Sequence, residues 1–172
     1  MSDIKTGIIT ISDRASNGVY KDLSGPAVKE YLLSRIKSGI QFEQIIVSDN
    51  FTDIKKSMVS LCDKYDCSLV LTTGGTGPAP RDVTPEVTEM VVNKVLPGFG
   101  ELMRFESLKF VSTAILSRQT AGIRNKTLVI NLPGSPKAIN QCLDVIFDAM
   151  IHCIKLIGGP EIETFDNIKQ IH

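Results

Sequence analysis

Short β-branched runs alternate along this chain with segments of helical period, and that alternation restricts the fold more than any other feature. TGIITIS, Thr6 to Ser12, has the unbroken apolar character of a strand buried on both faces. After the polar loop DRASNGVYKDLSG, the spacing predicts a helix over Pro26 to Lys37. Val28, Tyr31, Leu32 and Ile36 share one of its faces, and Pro26 suits a first turn. FEQIIVS reads as a second strand. Thr52 is then placed to cap a helix whose apolar stripe is Ile54, Met58, Leu61, Cys62 and Tyr65.

SLVLTT is a third strand, and Thr84-Pro85-Glu86 opens the next helix with a capping hydroxyl, a proline and an acid. Val87, Met90, Val91 and Val95 are expected on its core side. LPGFG should break the chain, with a helix over Glu101 to Phe110. TLVIN is a late strand, and Ser135-Pro136 starts a long final helix lined by Ile139, Cys142, Leu143, Ile146, Met150, Cys153, Ile154 and Ile157. The tail beyond Gly159 is expected to be peripheral. Four such alternations predict an α/β fold, a mainly parallel sheet with helices on both faces, as one domain over residues 1–172.

Lys+Arg and Asp+Glu are both 19, so no net field draws the chain to nucleic acid or to an anionic membrane. Met1 to Lys5 leads into the first strand without the apolar core of a signal peptide, and no run approaches a membrane span. Both points predict a soluble, cytoplasmic protein. Cys62, Cys67, Cys142 and Cys153 lack zinc-site spacing and read as reduced core thiols. His152 and His172 are badly placed for a catalytic base.

In a fold of this class, ligands bind beyond the carboxyl ends of the strands. Four loops should leave those ends: Ser12 to Asp22, Ser48 to Thr52, Thr73 to Thr84, and Leu132 to Ser135. The third holds three glycines, two prolines and three threonines, far more than a reversal of direction requires. Gly74, Gly75 and Gly77 suit positive φ and an anion held by successive N–H groups, or else a structural turn. The run has neither the Walker nor the dinucleotide spacing. Asp82 reads as a Mg²⁺ ligand beside a phosphate or as a loop-stabilising acceptor of backbone N–H bonds. Asp49, ending the second strand, reads as a site residue or simply as part of the turn or helix cap before Thr52, and Asp13 and Arg14 invite the same doubt. Gly134 and Ser135 make a second anion site or a plain helix cap.

SDRASNGVYKD, TTGGTGPAPRDVTPE, LPGFGELMR, TAILSRQTAGI and NLPGSPKAI, in this order, resemble the molybdopterin adenylyltransferase family, the MogA type related to the G domains of gephyrin-like proteins. The resemblance runs from about Lys5 to Leu156. It implies a three-layer α/β/α sandwich, a homotrimer, and adenylyl transfer from ATP with Mg²⁺ onto the terminal phosphate of molybdopterin. It implies Asp49 and Asp82 as functional carboxylates and metal ligands. Ser12, Asp13, Thr73, Gly74, Gly75, Thr76, Gly77, Gly98, Glu101, Met103, Gly134, Ser135 and Lys137 are then the substrate-binding set. Other molybdenum-cofactor synthesis proteins are implied as partners. Departures are confined to the short LIGGPEIETF connection after the last helix and to Ser135. A binding protein of the same fold without catalysis, and a scaffold built on the trimer, are the alternatives.

Overall fold

The structure, a computed structural model, describes residues 3–165; His172 lies outside them. Six strands form one sheet among the described residues: β1 Ile4–Ile11, β2 Ile40–Val47, β3 Leu69–Thr73, β4 Lys94–Val95, β5 Ala121–Arg124 and β6 Thr127–Leu132. The spatial order is β2-β1-β3-β6-β5-β4. The β1, β2, β3 and β6 strands are parallel, whereas β5 runs antiparallel to β6 and β4 antiparallel to β5. The helices are α1 Asp13–Ser16, α2 Ser24–Arg35, α3 Phe51–Val59, α4 Thr84–Val91, α5 Pro97–Ser107 and α6 Pro136–Leu156. A π turn, Ser60–Lys64, prolongs α3, and a 3₁₀ segment spans Ser112–Leu116.

Strand side chains divide between two cores by simple alternation. Ile4, Ile8, Leu69, Leu71, Leu128 and Ile130 face Val28 and Leu32 of α2, Met103 of α5 and the apolar stripe of α6. Ile9, Ile11, Val70 and Val129 face Ile54 and Met58 of α3, Leu61 and Cys62 of the π turn, and Val87 and Val91 of α4. Each fully buried side chain of this kind contributes roughly 1.5–3 kcal/mol relative to exposure. The result is the three-layer sandwich with a mainly parallel sheet.

Several local expectations need correction. Asn50, not Thr52, caps α3: its side-chain oxygen accepts from the amides of Thr52 and Asp53 at 2.9 and 3.2 Å. Tyr65 is 37% exposed, because the wider π turn rotates it off the stripe. The buried positions of α4 are Thr84, Pro85, Val87, Thr88 and Val91, a stripe that leaves Met90 in solvent. Val95 lies in β4 and is exposed. LPGFG does not break the chain, since α5 begins at Pro97 and ends at Ser107. Proline is compatible with a first helical position. Gly100 is glycine because a Cβ there would lie 2.0 Å from the Gln119 carbonyl oxygen. The four alternations omit β4 and β5, which are too short and too poor in apolar residues to announce themselves.

Candidate functional site

From β1 the chain passes to β2 on one side and then to β3 on the other, which opens a crevice at the carboxyl ends of β1 and β3. The loops expected at this edge are bonded to one another. Asp13 N–H donates to Asp49 Oδ2 at 2.8 Å, and Asp49 N–H donates to Asp13 Oδ1 at 3.0 Å. Arg81 Nη2 reaches both oxygens of Asp13 at 2.7 Å, joining the Gly-rich loop to the loops after β1 and β2. These contacts hold the Asp13 carboxyl below its ordinary value, the Asp49 amide being the largest cause and Arg81 the next. Gly74 N–H meets the Leu132 carbonyl at 3.3 Å, and Ser24 Oγ donates to the Gly134 carbonyl at 2.6 Å.

The glycines are explained first by packing. Gly74 has φ +95°, and a Cβ there would sit 2.3 Å from the main-chain oxygen of Ile11. Gly75 has φ +64°, and its Cβ would sit 2.4 Å from Thr84 Oγ1. Gly77 does not take positive φ, contrary to expectation. Thr84 is the first residue of α4 rather than its cap, because its hydroxyl is spent on the loop: Oγ1 donates to the Gly74 carbonyl at 3.0 Å and its N–H to the Gly75 carbonyl at 3.1 Å. Behind Thr84 lies a buried polar chain. Thr88 Oγ1 donates to the Thr84 carbonyl at 2.9 Å, and Asn131 Nδ2 donates to Thr88 Oγ1 at 2.8 Å and Thr72 Oγ1 at 3.0 Å.

This scaffolding turns the loop carbonyls one way. The Thr76 carbonyl accepts from the Arg118 amide at 2.8 Å and the Gly77 carbonyl from Arg118 Nε at 2.9 Å. All peptides here are trans, so the N–H of each next residue points away from the anchored oxygen. The amides of Gly75, Thr76 and Gly77 therefore turn outward, and none has an acceptor among the described residues. Three consecutive free amides form a concavity suited to an anion.

Asp82 is half-buried at the far end of this loop. Its Oδ2 accepts from Ala79 N–H at 3.0 Å, and its own N–H donates to the Ala79 carbonyl at 2.9 Å. The loop-stabilising role foreseen for Asp82 is thus real. Oδ1 of Asp82 and Oδ1 of Asp49 accept no hydrogen bond among the described residues. No group of three or more His, Cys, Asp or Glu suited to a metal occurs among the described residues. Two free carboxylate oxygens without such a cage fit Mg²⁺, which binds through one or two carboxylates together with phosphate oxygens.

Beside the loop is a largely apolar cleft of about 330 Å³, walled by Thr76, Gly77, Pro78, Leu116, Pro133 and Ala138 among others. The remaining expected residues divide into three groups. Thr73 is buried at the end of β3 and Thr76 is buried in the loop. Ser12 and Ser135 cap α1 and α6 through Ala15 N–H at 3.2 Å and Ala138 N–H at 3.3 Å. Gly134 and Lys137 are exposed at the start of α6, Gly98 on the first turn of α5 and Glu101 just beyond it; no hydrogen bond joins Gly98 or Glu101 to the Gly-rich loop among the described residues. Met103 is fully buried in the α6-side core. Arg118, which holds the loop, and Asn131, which ties Thr72 to Thr88 behind it, carry no signal in the sequence, because nothing local links either to residues so distant along the chain.

The family model described as "Probable molybdopterin binding domain" matches residues 7–152. The Helicobacter pylori (strain ATCC 700392 / 26695) protein named molybdopterin adenylyltransferase is 57% identical over 164 residues, covering 95% of this chain and 93% of its own. The Escherichia coli (strain K12) protein of the same name is 46% identical over 176 residues, covering 95% and 90%. Among solved structures, the molybdopterin biosynthesis enzyme MoaB of Thermus thermophilus superposes with a TM-score of 0.83 at 37% identity, covering 91% of this chain and 98% of that one. The Mog protein of Mycobacterium ulcerans gives 0.83 at 35%, covering 90% and 99%. With its match across nearly the whole sheet and with relatives of this identity and coverage, the chain belongs to the molybdopterin-binding family that includes the molybdopterin adenylyltransferases.

Proposed function

We propose that the chain is a molybdopterin adenylyltransferase of molybdenum-cofactor biosynthesis. A terminal phosphate oxygen of molybdopterin attacks the α-phosphorus of ATP, the bond from that phosphorus to the bridging oxygen breaks, and pyrophosphate leaves. The observation that carries this reading is the row of free amides at Gly75, Thr76 and Gly77, beside Asp82 and tied through Arg81 and Asp13 to Asp49. Such a reaction needs positioning and charge neutralisation rather than a protein nucleophile. The buried thiols agree: burial pushes Cys62 up to about 12 and Cys67 to about 11, which leaves both protonated at neutral pH.

In this proposal the amides of Gly75 to Gly77 take phosphate oxygens, and the apolar cleft beside them receives a ring system. Asp82 and Asp49 would hold Mg²⁺ with those oxygens, and the ion would supply Lewis-acid charge neutralisation. Gly134, Ser135 and Lys137 supply a second anion-facing edge at the start of α6. A homotrimer is proposed as well. Leu102, Phe105, Leu108, Phe110, Val111, Ile115 and Leu116 leave large apolar surface exposed along α5 and the 3₁₀ segment, which symmetric association would cover. No helix among the described residues is long and apolar enough to cross a membrane, and a cytoplasmic location is part of the proposal.

The deciding experiment incubates the protein with molybdopterin, ATP and Mg²⁺ and follows adenylylated pterin and pyrophosphate. Formation of both supports the enzyme. Tight pterin binding without either product would leave a binding protein of the same fold instead.

A further inference from the structure

We infer that Arg118, its side chain oriented by Glu86, is a positioning residue that fixes the Gly77 end of the Gly75–Gly77 amide row for phosphate. The inference rests on reading that loop as the phosphate site. Arg118 stands outside the loop, after the 3₁₀ segment, yet it touches the loop at three carbonyls. Its N–H donates to Thr76 at 2.8 Å, its Nε to Gly77 at 2.9 Å and its Nη2 to Asp82 at 2.6 Å. Its Nη1 pairs with Glu86 Oε1 and its Nη2 lies 3.4 Å from Glu86 Oε2. A guanidinium has five N–H donors in one plane, and this one directs four of them to fixed acceptors.

The consequence lies on the opposite side of each peptide. Turning the Thr76 oxygen toward Arg118 turns the Gly77 N–H away from it, while Thr84 does the same for Gly75 and Thr76 by holding the Gly74 and Gly75 oxygens. The main-chain N–H of Arg118 thus sets the Gly77 amide, while its guanidinium, bonded to the Gly77 and Asp82 carbonyls, clamps the Gly77–Pro78 peptide that ends the row and the backbone that carries the Asp82 carboxylate. Glu86 sits in the first turn of α4 and anchors the guanidinium to a rigid element. Arg118 need not meet the substrate to matter. It fixes one end of the row of donors that do.

The test uses Arg118→Gln, Arg118→Lys, Glu86→Gln and the Arg118→Gln/Glu86→Gln pair in the full chain. Two readouts are taken: hydrogen exchange of the 74–83 segment without ligand, and calorimetric binding of ATP and of pyrophosphate. The expected result is faster exchange confined to that segment and at least tenfold weaker binding for Arg118→Gln. Arg118→Lys should restore less than half of the binding loss in logarithmic terms, because an ammonium cannot span the planar set of acceptors. Glu86→Gln should lie between, and the pair should be no worse than Arg118→Gln alone. Should Arg118→Gln fail to fold, Glu86→Gln carries the same comparison. A lower melting temperature with wild-type exchange in the segment and wild-type affinity would overturn the proposal. If the wild-type protein binds neither ligand, the phosphate reading of the loop fails, and the exchange data alone decide whether Arg118 orders it.

Discussion

Arg118 and Arg124 lie six residues apart in the sequence, and each joins a carboxylate to main-chain oxygen, two carbonyls for the Arg118 side chain and one for Arg124, yet they hold different parts of the molecule. Arg124 meets both oxygens of Asp63 at 2.9 and 2.6 Å and donates to the Val91 carbonyl at 2.8 Å, fastening β5 to the π turn and the end of α4. All of its partners belong to regular elements. Arg118 takes its carbonyls from a loop that has no ladder of its own. In one case the arginine adds to a structure already specified by strands and helices. In the other it supplies the specification, because an irregular loop keeps a single shape only where side chains hold its peptide planes.

That contrast is open to measurement, and the largest effect should come from the loop itself. Gly75→Val forces a β-branched residue into φ +64° with its Cβ 2.4 Å from Thr84 Oγ1, so about 3 kcal/mol of stability should be lost. Denaturant unfolding would show it as a lower midpoint. A variant as stable as the parent would mean that the loop is far more pliant than its bonds suggest.

Next comes Asp82→Asn. Asparagine can keep the Ala79 contact through its side-chain oxygen, so the fold should persist, whereas the proposed role at the transferring phosphate loses its charge. Turnover should fall at least about 10²-fold, roughly 2.7 kcal/mol of transition-state stabilisation. A lowered melting temperature with turnover within a few fold of the parent would reduce Asp82 to the loop brace that its bond to Ala79 describes.

Arg124→Gln should behave in the opposite way. Its loss should cost about 1–2 kcal/mol, moving Tm by a few degrees while leaving nucleotide affinity within twofold. A large affinity loss would erase the distinction between the two arginines.

The smallest effect is in pH. Asp63 is held below its ordinary 3.8 mainly by its hydrogen bonds with Arg124, and Glu86 below 4.5 mainly by those with Arg118. A carboxyl depressed in the folded state stabilises the protein above its unfolded value and loses that contribution as pH falls through the folded one. Melting curves between pH 7 and 3 should therefore steepen below about 4.5. Arg124→Gln should remove the Asp63 share and Arg118→Gln the Glu86 share; identical curves for parent and variants would dismiss both.

What the sequence made legible follows the same division. The strands β1, β3 and β6 declare themselves through β-branched runs, and α6 through a stripe of which Ile139, Cys142, Leu143, Ile146, Met150 and Ile154 are buried, whereas Cys153 and Ile157 are only partly so and Phe147 is buried without having been expected. Thr73 to Thr84 stood out as a loop because of its glycines and prolines. The directions of its carbonyls were not legible, since they depend on Thr84 and Arg118. Nor was the reason for Gly75, which is a threonine nine positions on. Met103 entered the substrate set through the family resemblance alone, and no pattern around it announces that it is buried in the α6-side core. Asp13 and Asp49 looked like turn residues taken singly, and only the adjacency of β1 and β2 makes them a reciprocal pair.

The reciprocal pair has a kinetic consequence. Asp13 and Asp49 are separated by 36 residues, Arg118 and Gly77 by 41, and Ser24 and Gly134 by 110. Closures of that length become favourable only after the strands beneath them have docked, so the carboxyl edge should assemble after the barrier to folding has been crossed. Changes there should then accelerate unfolding and leave the folding rate nearly untouched, a pattern that stopped-flow measurements on Asp13→Asn would reveal. On this view the crevice is the last part of the molecule to form and the first to open, and the half-life of its working form is set by the ties between its loops rather than by the depth of the core.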